Sequence, residues 1–147
     1  MTEECSFCAR LAGRGFWIVV EERPHGLAYV ANHQRSRGSL LVIPRRHVPS
    51  LMELTEDEAS DVLLLIRRTT LALERSYDPE GMHVWYGGRL PSNDFHPHLH
   101  VRVCPRFAGE PYSFGTNESL PVATLDERYD VLDRVRRELA GIPEDAL

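Results

Sequence analysis

No stretch of this sequence stays apolar for long: no uninterrupted run exceeds five residues, the length of Val62 to Ile66, where a membrane-spanning helix needs about 20. That excludes a transmembrane anchor. The opening Met-Thr-Glu-Glu also lacks the basic and apolar pattern of a secretory leader, so a cytoplasmic protein with no membrane partner is expected. Cysteine is scarce at three residues, an odd number too small for a disulfide framework, and a close pair in a reducing compartment points to metal or redox work instead. There is no surplus of positive charge. With 17 basic against 22 acidic residues the chain carries −5, which sets nucleic acid aside as a principal partner even though Arg35, Arg37, Arg45 and Arg46 form a local basic group. Repeats and low-complexity tracts are missing too.

What is present suits one domain spanning residues 1–147, since 147 residues with 42% hydrophobic and 27% charged side chains are enough for a single core. β-Branched and aromatic runs predict strands over Phe16–Val20, Leu27–Ala31, Ser39–Ile43, His83–Tyr86 and Phe95–Val103. Thr55 and Glu58 form a capping box ahead of Ala59, Val62, Leu63, Ile66, Thr70 and Leu73, which recur with a helical period and read as core or dimer packing. Asp78-Pro79-Glu80-Gly81 ends that helix. A second box, Thr124 and Glu127, precedes Tyr129, Leu132, Val135 and Leu139 and predicts a C-terminal helix.

The chemistry concentrates in His96-Pro97-His98-Leu99-His100, where imidazoles recur every second residue and Phe95, Leu99, Val101 and Val103 take the alternate places. On a strand that spacing turns three imidazoles to one face and an apolar face inward. A lone histidine there would be an ordinary surface residue. Three at period two, in a chain holding seven, are a site. Two chemistries fit it: the imidazoles chelate a catalytic metal, or one neutral imidazole attacks a phosphorus centre through a covalent histidine intermediate while its neighbours stabilise the phosphoryl oxygens.

Phe-His-Pro-His-Leu-His-Val-Arg-Val-Cys-Pro-Arg resembles the signature strand of the histidine-triad superfamily, and Cys5-Ser6-Phe7-Cys8, Gly38 through His47 and Leu51-Met52-Glu53-Leu54 resemble family blocks in the same order. The resemblance implies an α+β fold, a five-stranded antiparallel sheet carrying one long helix, in a homodimer. It implies a nucleotide substrate, hydrolysed or transferred at the α-phosphorus, with His98 as nucleophile and His100 on the substrate phosphate. His96-Pro97-His98 is also similar to the matching segment of galactose-1-phosphate uridylyltransferases, where the first histidine binds metal. Carried over, this gives a structural zinc on Cys5, Cys8, His47 and His96. Phe7 matches a residue that packs on the base. Ser92 and Asn93 stand where the family commonly has Gln-Ser, and Asn32 lies next to the position of an acidic residue that grips the ribose. Dinucleoside polyphosphates, nucleoside phosphoramidates and nucleotide sugars are the candidate substrates. A nucleotide-binding regulator with little turnover and a zinc hydrolase using the triad as its metal site are the alternatives. Cys104 reads as a small buried hydrophobe.

Overall fold

The computed structural model describes residues 5–34, 36–86, 98–110 and 122–144. A short helix, α1 (Ser6–Leu11), leads into β1 (Val19–Arg23), β2 (Gly26–Val30) and β3 (Leu40–Pro44). The long α2 (Glu56–Tyr77), β4 (Gly81–Trp85), β5 (Val101–Arg106) and the C-terminal α3 (Leu125–Leu139) follow. The strands form one antiparallel sheet in the order β1-β2-β3-β5-β4, the α+β architecture expected.

Strand alternation sorts the core into two layers. Ala28, Val30, Leu40, Val42, Val101 and Val103 point to the face covered by α2 and α3. Leu27, Tyr29, Leu41 and Ile43 point to the other, where Phe7 and Leu11 of α1 and Trp17 pack on them. β2 and β3 are buried throughout, which is why they read as continuous apolar runs. The first strand begins three residues later than the apolar pattern suggests, at Val19, because the tight Pro24–His25 turn pairs Arg23 with Gly26 and sets the register. Phe16 is left exposed. The signature strand is likewise displaced: β5 starts at Val101, with His98, Leu99 and His100 just before it. Leu99 still packs inward and donates its backbone N–H to Val48.

The inward face of α2 differs from the predicted stripe. Ala59 and Leu63 face solvent, and Leu63 is 65% exposed, while Asp61, Leu65, Arg68, Thr69 and Ala72 join Val62 and Leu73 inside. Asp61 and Arg68 are charged, so an apolar pattern could not register them. Each is fully engaged. Arg68 grips both carboxylate oxygens of Glu21 on β1 at 2.8–3.0 Å and donates to the carbonyls of Ile142 and Pro143. Asp61 accepts from Arg23 at 2.9 Å and from the His25 amide at 2.8 Å. Burial pushes the Asp61 carboxyl up, but those two bonds outweigh it and hold the group low. α2 ends on Asp78 in the left-handed region, φ 47°, before Pro79. Gly38 sits at φ +88°, where a Cβ would lie 2.9 Å from the Tyr77 ring and 3.0 Å from Leu73, so the β2–β3 connection lies directly on α2.

Both capping boxes form as expected. The first does more than start a helix. Glu58 accepts from the Thr55 amide at 2.9 Å and from Arg46 at 2.8 and 3.0 Å, fastening the turn after β3 to the start of α2. The Arg46 hydrogen bonds, joined by those from Thr55, hold the Glu58 carboxyl at about 2 against the opposing effect of burial. A depressed carboxyl stabilises the fold fully above its unfolded value near 4.5, and that contribution is lost as pH falls toward 2. Glu58→Gln should therefore melt several degrees below wild type at pH 7, with the gap closing as pH drops through that window. Melting curves across pH check this, and a gap independent of pH would contradict it.

Candidate active site and metal centre

Three elements converge at the end of the sheet where β3 finishes. α1 contributes Cys5, at its N-cap, and Cys8, one turn on; the Arg45-Arg46-His47 turn contributes His47; and the segment entering β5 contributes His98. The ligand atoms of these four all lie within 4.8 Å of one another. Cys5 Sγ and Cys8 Sγ are each 3.6 Å from His98 Nδ1, and Cys8 Sγ is 3.4 Å from His47 Nδ1. Zinc bonds of about 2.3 Å to sulfur and 2.0–2.1 Å to nitrogen at tetrahedral angles put neighbouring S and N atoms about 3.6 Å apart. The thiol and imidazole spacings match that edge length, so the donor set fits zinc in chemistry and in size. Four protein donors leave no open position for an activating water, which is the signature of a structural site.

The fourth imidazole is the point of departure from the sequence reading. That reading gave the place to His96, which, with Ser92 and Asn93, lies outside the described residues; the imidazole brought to the cluster is His98. Its ring is 1% exposed, and Nε2 donates to the Pro44 carbonyl at 2.8 Å while Nδ1 faces the thiols. Burial pushes the His98 imidazole down, toward the neutral form a metal ligand needs. With both nitrogens engaged, His98 keeps no free lone pair for the nucleophilic role expected of it.

His100 is placed differently. It is half-buried, and its Nδ1–H donates to the His98 carbonyl at 2.8 Å. That bond fixes the tautomer and leaves the lone pair on Nε2, which has no hydrogen-bond partner among the described residues. The Phe7 ring stands 5.3 Å from that of His98, 5.5 Å from that of His100 and 6.1 Å from that of Tyr29. Phe7 thus stands beside both the cluster and the open side of His100. Asn32 is tied to the C-terminal part: its Oδ1 accepts from Arg128 of α3 at 2.9 Å and its carbonyl accepts from Ala123, so the oxygen expected to contact a ribose already accepts one bond. Cys104 is buried on β5, away from the cluster, as expected. Arg102, which the sequence reading did not single out, lies half-buried on β5 two residues past His100, in register with Leu41. The period-two pattern carried past His100 would have found Arg102.

Comparison with known proteins places the chain in a family and a fold. The family model of the HIT domain matches residues 17–109. The adenosine 5'-monophosphoramidase hnt1 of Schizosaccharomyces pombe is 28% identical over 120 residues, covering 81% of this chain and 86% of that protein. The nitrilase and fragile histidine triad fusion protein NitFhit of Caenorhabditis elegans is 30% identical over 95 residues, 65% of this chain; the match spans only 21% of that protein. Among solved structures, a zinc-bound histidine triad family protein from Mycobacterium smegmatis superimposes with a TM-score of 0.74 at 22% identity, covering 93% of this chain and 94% of that one. No helix among the described residues is long and apolar enough to cross a membrane.

Metal analysis of purified variants tests the donor set. Cys5→Ser/Cys8→Ser and His98→Ala should each lose zinc and melt at lower temperature, because metal binding contributes to folding, whereas His96→Ala should keep it. Zinc retained in full by His98→Ala would return the fourth place to His96.

Proposed function

The chain belongs to the HIT-domain family, and from that premise we propose that it is a nucleotide hydrolase or nucleotidyl transferase whose nucleophile is His100 and whose structural zinc is held by Cys5, Cys8, His47 and His98. The observation that carries this reading is the bond from His100 Nδ1 to the His98 carbonyl. It presents the Nε2 lone pair on a half-buried ring beside the Phe7 wall, while His98 has both nitrogens committed. Each role therefore moves one histidine along from the sequence expectation.

In the reaction, His100 Nε2 attacks the α-phosphorus in line with the bond to the leaving group. The P–N bond to His100 forms, the bond from phosphorus to the leaving oxygen or nitrogen breaks, and the electron pair departs with the leaving group, which takes up a proton. Water, or the acceptor in a transferase, then attacks the nucleotidyl-histidine, releasing the nucleotide and restoring the imidazole. The His98 carbonyl supports the charge that Nδ1–H gains as Nε2 bonds to phosphorus. Bound zinc supplies rigidity: by fixing His98 it fixes the carbonyl that aims His100. Phe7 offers an aromatic face for the base.

Supporting the hydrolase reading is the likeness to an adenosine 5'-monophosphoramidase over most of both chains. A homodimer is proposed with it, since β4 is the outer strand of the sheet and Val84 on it is 46% exposed. Light scattering should give twice the chain mass, and a monomer would remove the dimer without touching the catalytic reading.

His100→Ala should lower kcat by about 10⁴-fold or more, the scale of losing a covalent nucleophile, with zinc content unchanged. Intact-mass measurement after rapid quenching should show a nucleotide-sized adduct on wild type and none on the variant. Turnover surviving in His100→Ala would overturn the assignment.

A further inference from the structure

Packing holds α1 only lightly. None of its residues is buried, and Phe7 and Leu11 meet the sheet as partly buried side chains at the edge of the layer that contains Tyr29 and Leu41. The chain leaves the helix through Gly13 at φ +84° and Gly15 at φ +121°. A Cβ on Gly13 would meet nothing within 4 Å, so the turn into β1 is not wedged against the body there. Cys5 and Cys8 supply a second attachment. Their sulfurs stand within 4.8 Å of each other, both lie 3.6 Å from Nδ1 of His98, and Cys8 lies 3.4 Å from Nδ1 of His47.

The same two sulfurs are placed for a bond to each other. Residues three apart on a helix lie on one face, and Cys-x-x-Cys is a spacing at which dithiols close. As metal ligands both sulfurs are thiolates, the form that attacks an oxidant, and both residues are only half-buried, so solvent reaches the pair. Cys104, 1% exposed on β5, is shielded. With a peroxide, one thiolate attacks an oxygen: the S–O bond forms, the O–O bond breaks, and hydroxide departs and takes up a proton. The second thiolate attacks the resulting sulfenic sulfur, the S–S bond forms, the S–O bond breaks, and a second water is released. Peroxide gains the two electrons that the sulfurs lose. Disulfide sulfurs carry no charge, so of the four metal donors only His47 and His98 remain.

We infer that Cys5 and Cys8 are a peroxide-sensitive dithiol whose closure to a disulfide unlatches α1 from the metal site and withdraws Phe7 from His100. This rests on the thiol pair being half of the zinc donor set. Phe7 lies between the two cysteines in sequence, and its ring stands 5.3 Å from that of His98 and 5.5 Å from that of His100. Movement of α1 that follows loss of both sulfur ligands therefore moves the wall of the substrate site. A two-electron reductant restores the thiols, so the modification is reversible.

Readouts that need no turnover decide this on the zinc-loaded full chain. Hydrogen peroxide at a small excess over protein should lower the intact mass by two hydrogens, with peptide mapping placing the bond between Cys5 and Cys8, and should release the zinc. Trypsin cleavage after Arg10 and Arg14 should then run about tenfold faster or more, since cleavage tracks how often a segment opens. Dithiothreitol with added zinc should reverse all three changes. Cys104→Ser should respond as wild type does, whereas in Cys8→Ser the remaining thiol has no partner and peroxide should add oxygen to Cys5 instead. Zinc kept with the mass unchanged, a bond to Cys104, oxygen added to wild type without a disulfide, or a disulfide that leaves cleavage at Arg10 and Arg14 unaltered each overturns the latch. If no nucleotide is turned over while the disulfide still expels zinc and frees α1, the hydrolase reading fails and the latch stands. Turnover in a protein whose thiols ignore peroxide sinks the latch alone.

Discussion

Everything at this site is aimed by one hydrogen bond, that from His98 Nε2 to the carbonyl of Pro44. Pro44 closes β3, so its carbonyl is held by the sheet, and the bond fixes which His98 nitrogen carries the proton. Nδ1 must then face Cys5 and Cys8 with its lone pair. The backbone carries the same order forward, because the His98 carbonyl receives Nδ1–H of His100 and leaves the far nitrogen of that ring bare. Two imidazoles two residues apart thus acquire opposite duties. Chemically they are the same side chain, and the difference lies wholly in which atom of each is occupied.

The turn that follows Pro44 has its own anchor. His47 lies 3.4 Å from the Cys8 thiol, and next to it Arg46 is gripped by Glu58 at the start of α2, while Arg45 donates to the Arg23 carbonyl and its amide to that of His25. The first turn of the long helix, the β1–β2 turn and the end of β3 are therefore one hydrogen-bonded block. A rigid block matters for a ligand on a turn, since a site loosened by a fraction of an ångström loses both affinity and aim.

Much of this was legible beforehand, and what was not has identifiable causes. The strand cores, both capping boxes and the inward side of Leu99, Val101 and Val103 follow from local periodicity, which depends on near neighbours only. The division of labour among the histidines does not. Period-two spacing makes the histidines equivalent in sequence, and the Pro44 carbonyl, 54 residues from His98, sets His98 apart from His100. Asn32 is a similar case, its oxygen being claimed by Arg128, 96 residues further along. Asp61 and Arg68 rotate the buried face of α2 because their partners, Arg23 and Glu21, lie on β1. A six-residue α1 is too short to display a helical period, so the cysteine pair was visible as a motif but not as the end of a helix.

The Arg68 clamp has a consequence for the order in which the molecule assembles. Glu21 and Arg68 meet early in synthesis, yet two of the acceptors that satisfy the guanidinium are the carbonyls of Ile142 and Pro143. The Arg68–Glu21 pair joins α2 to β1, and its remaining donors are satisfied only when the segment after α3 docks on it. That contact spans 74 and 75 residues of sequence, a long-range step of the kind that slows folding.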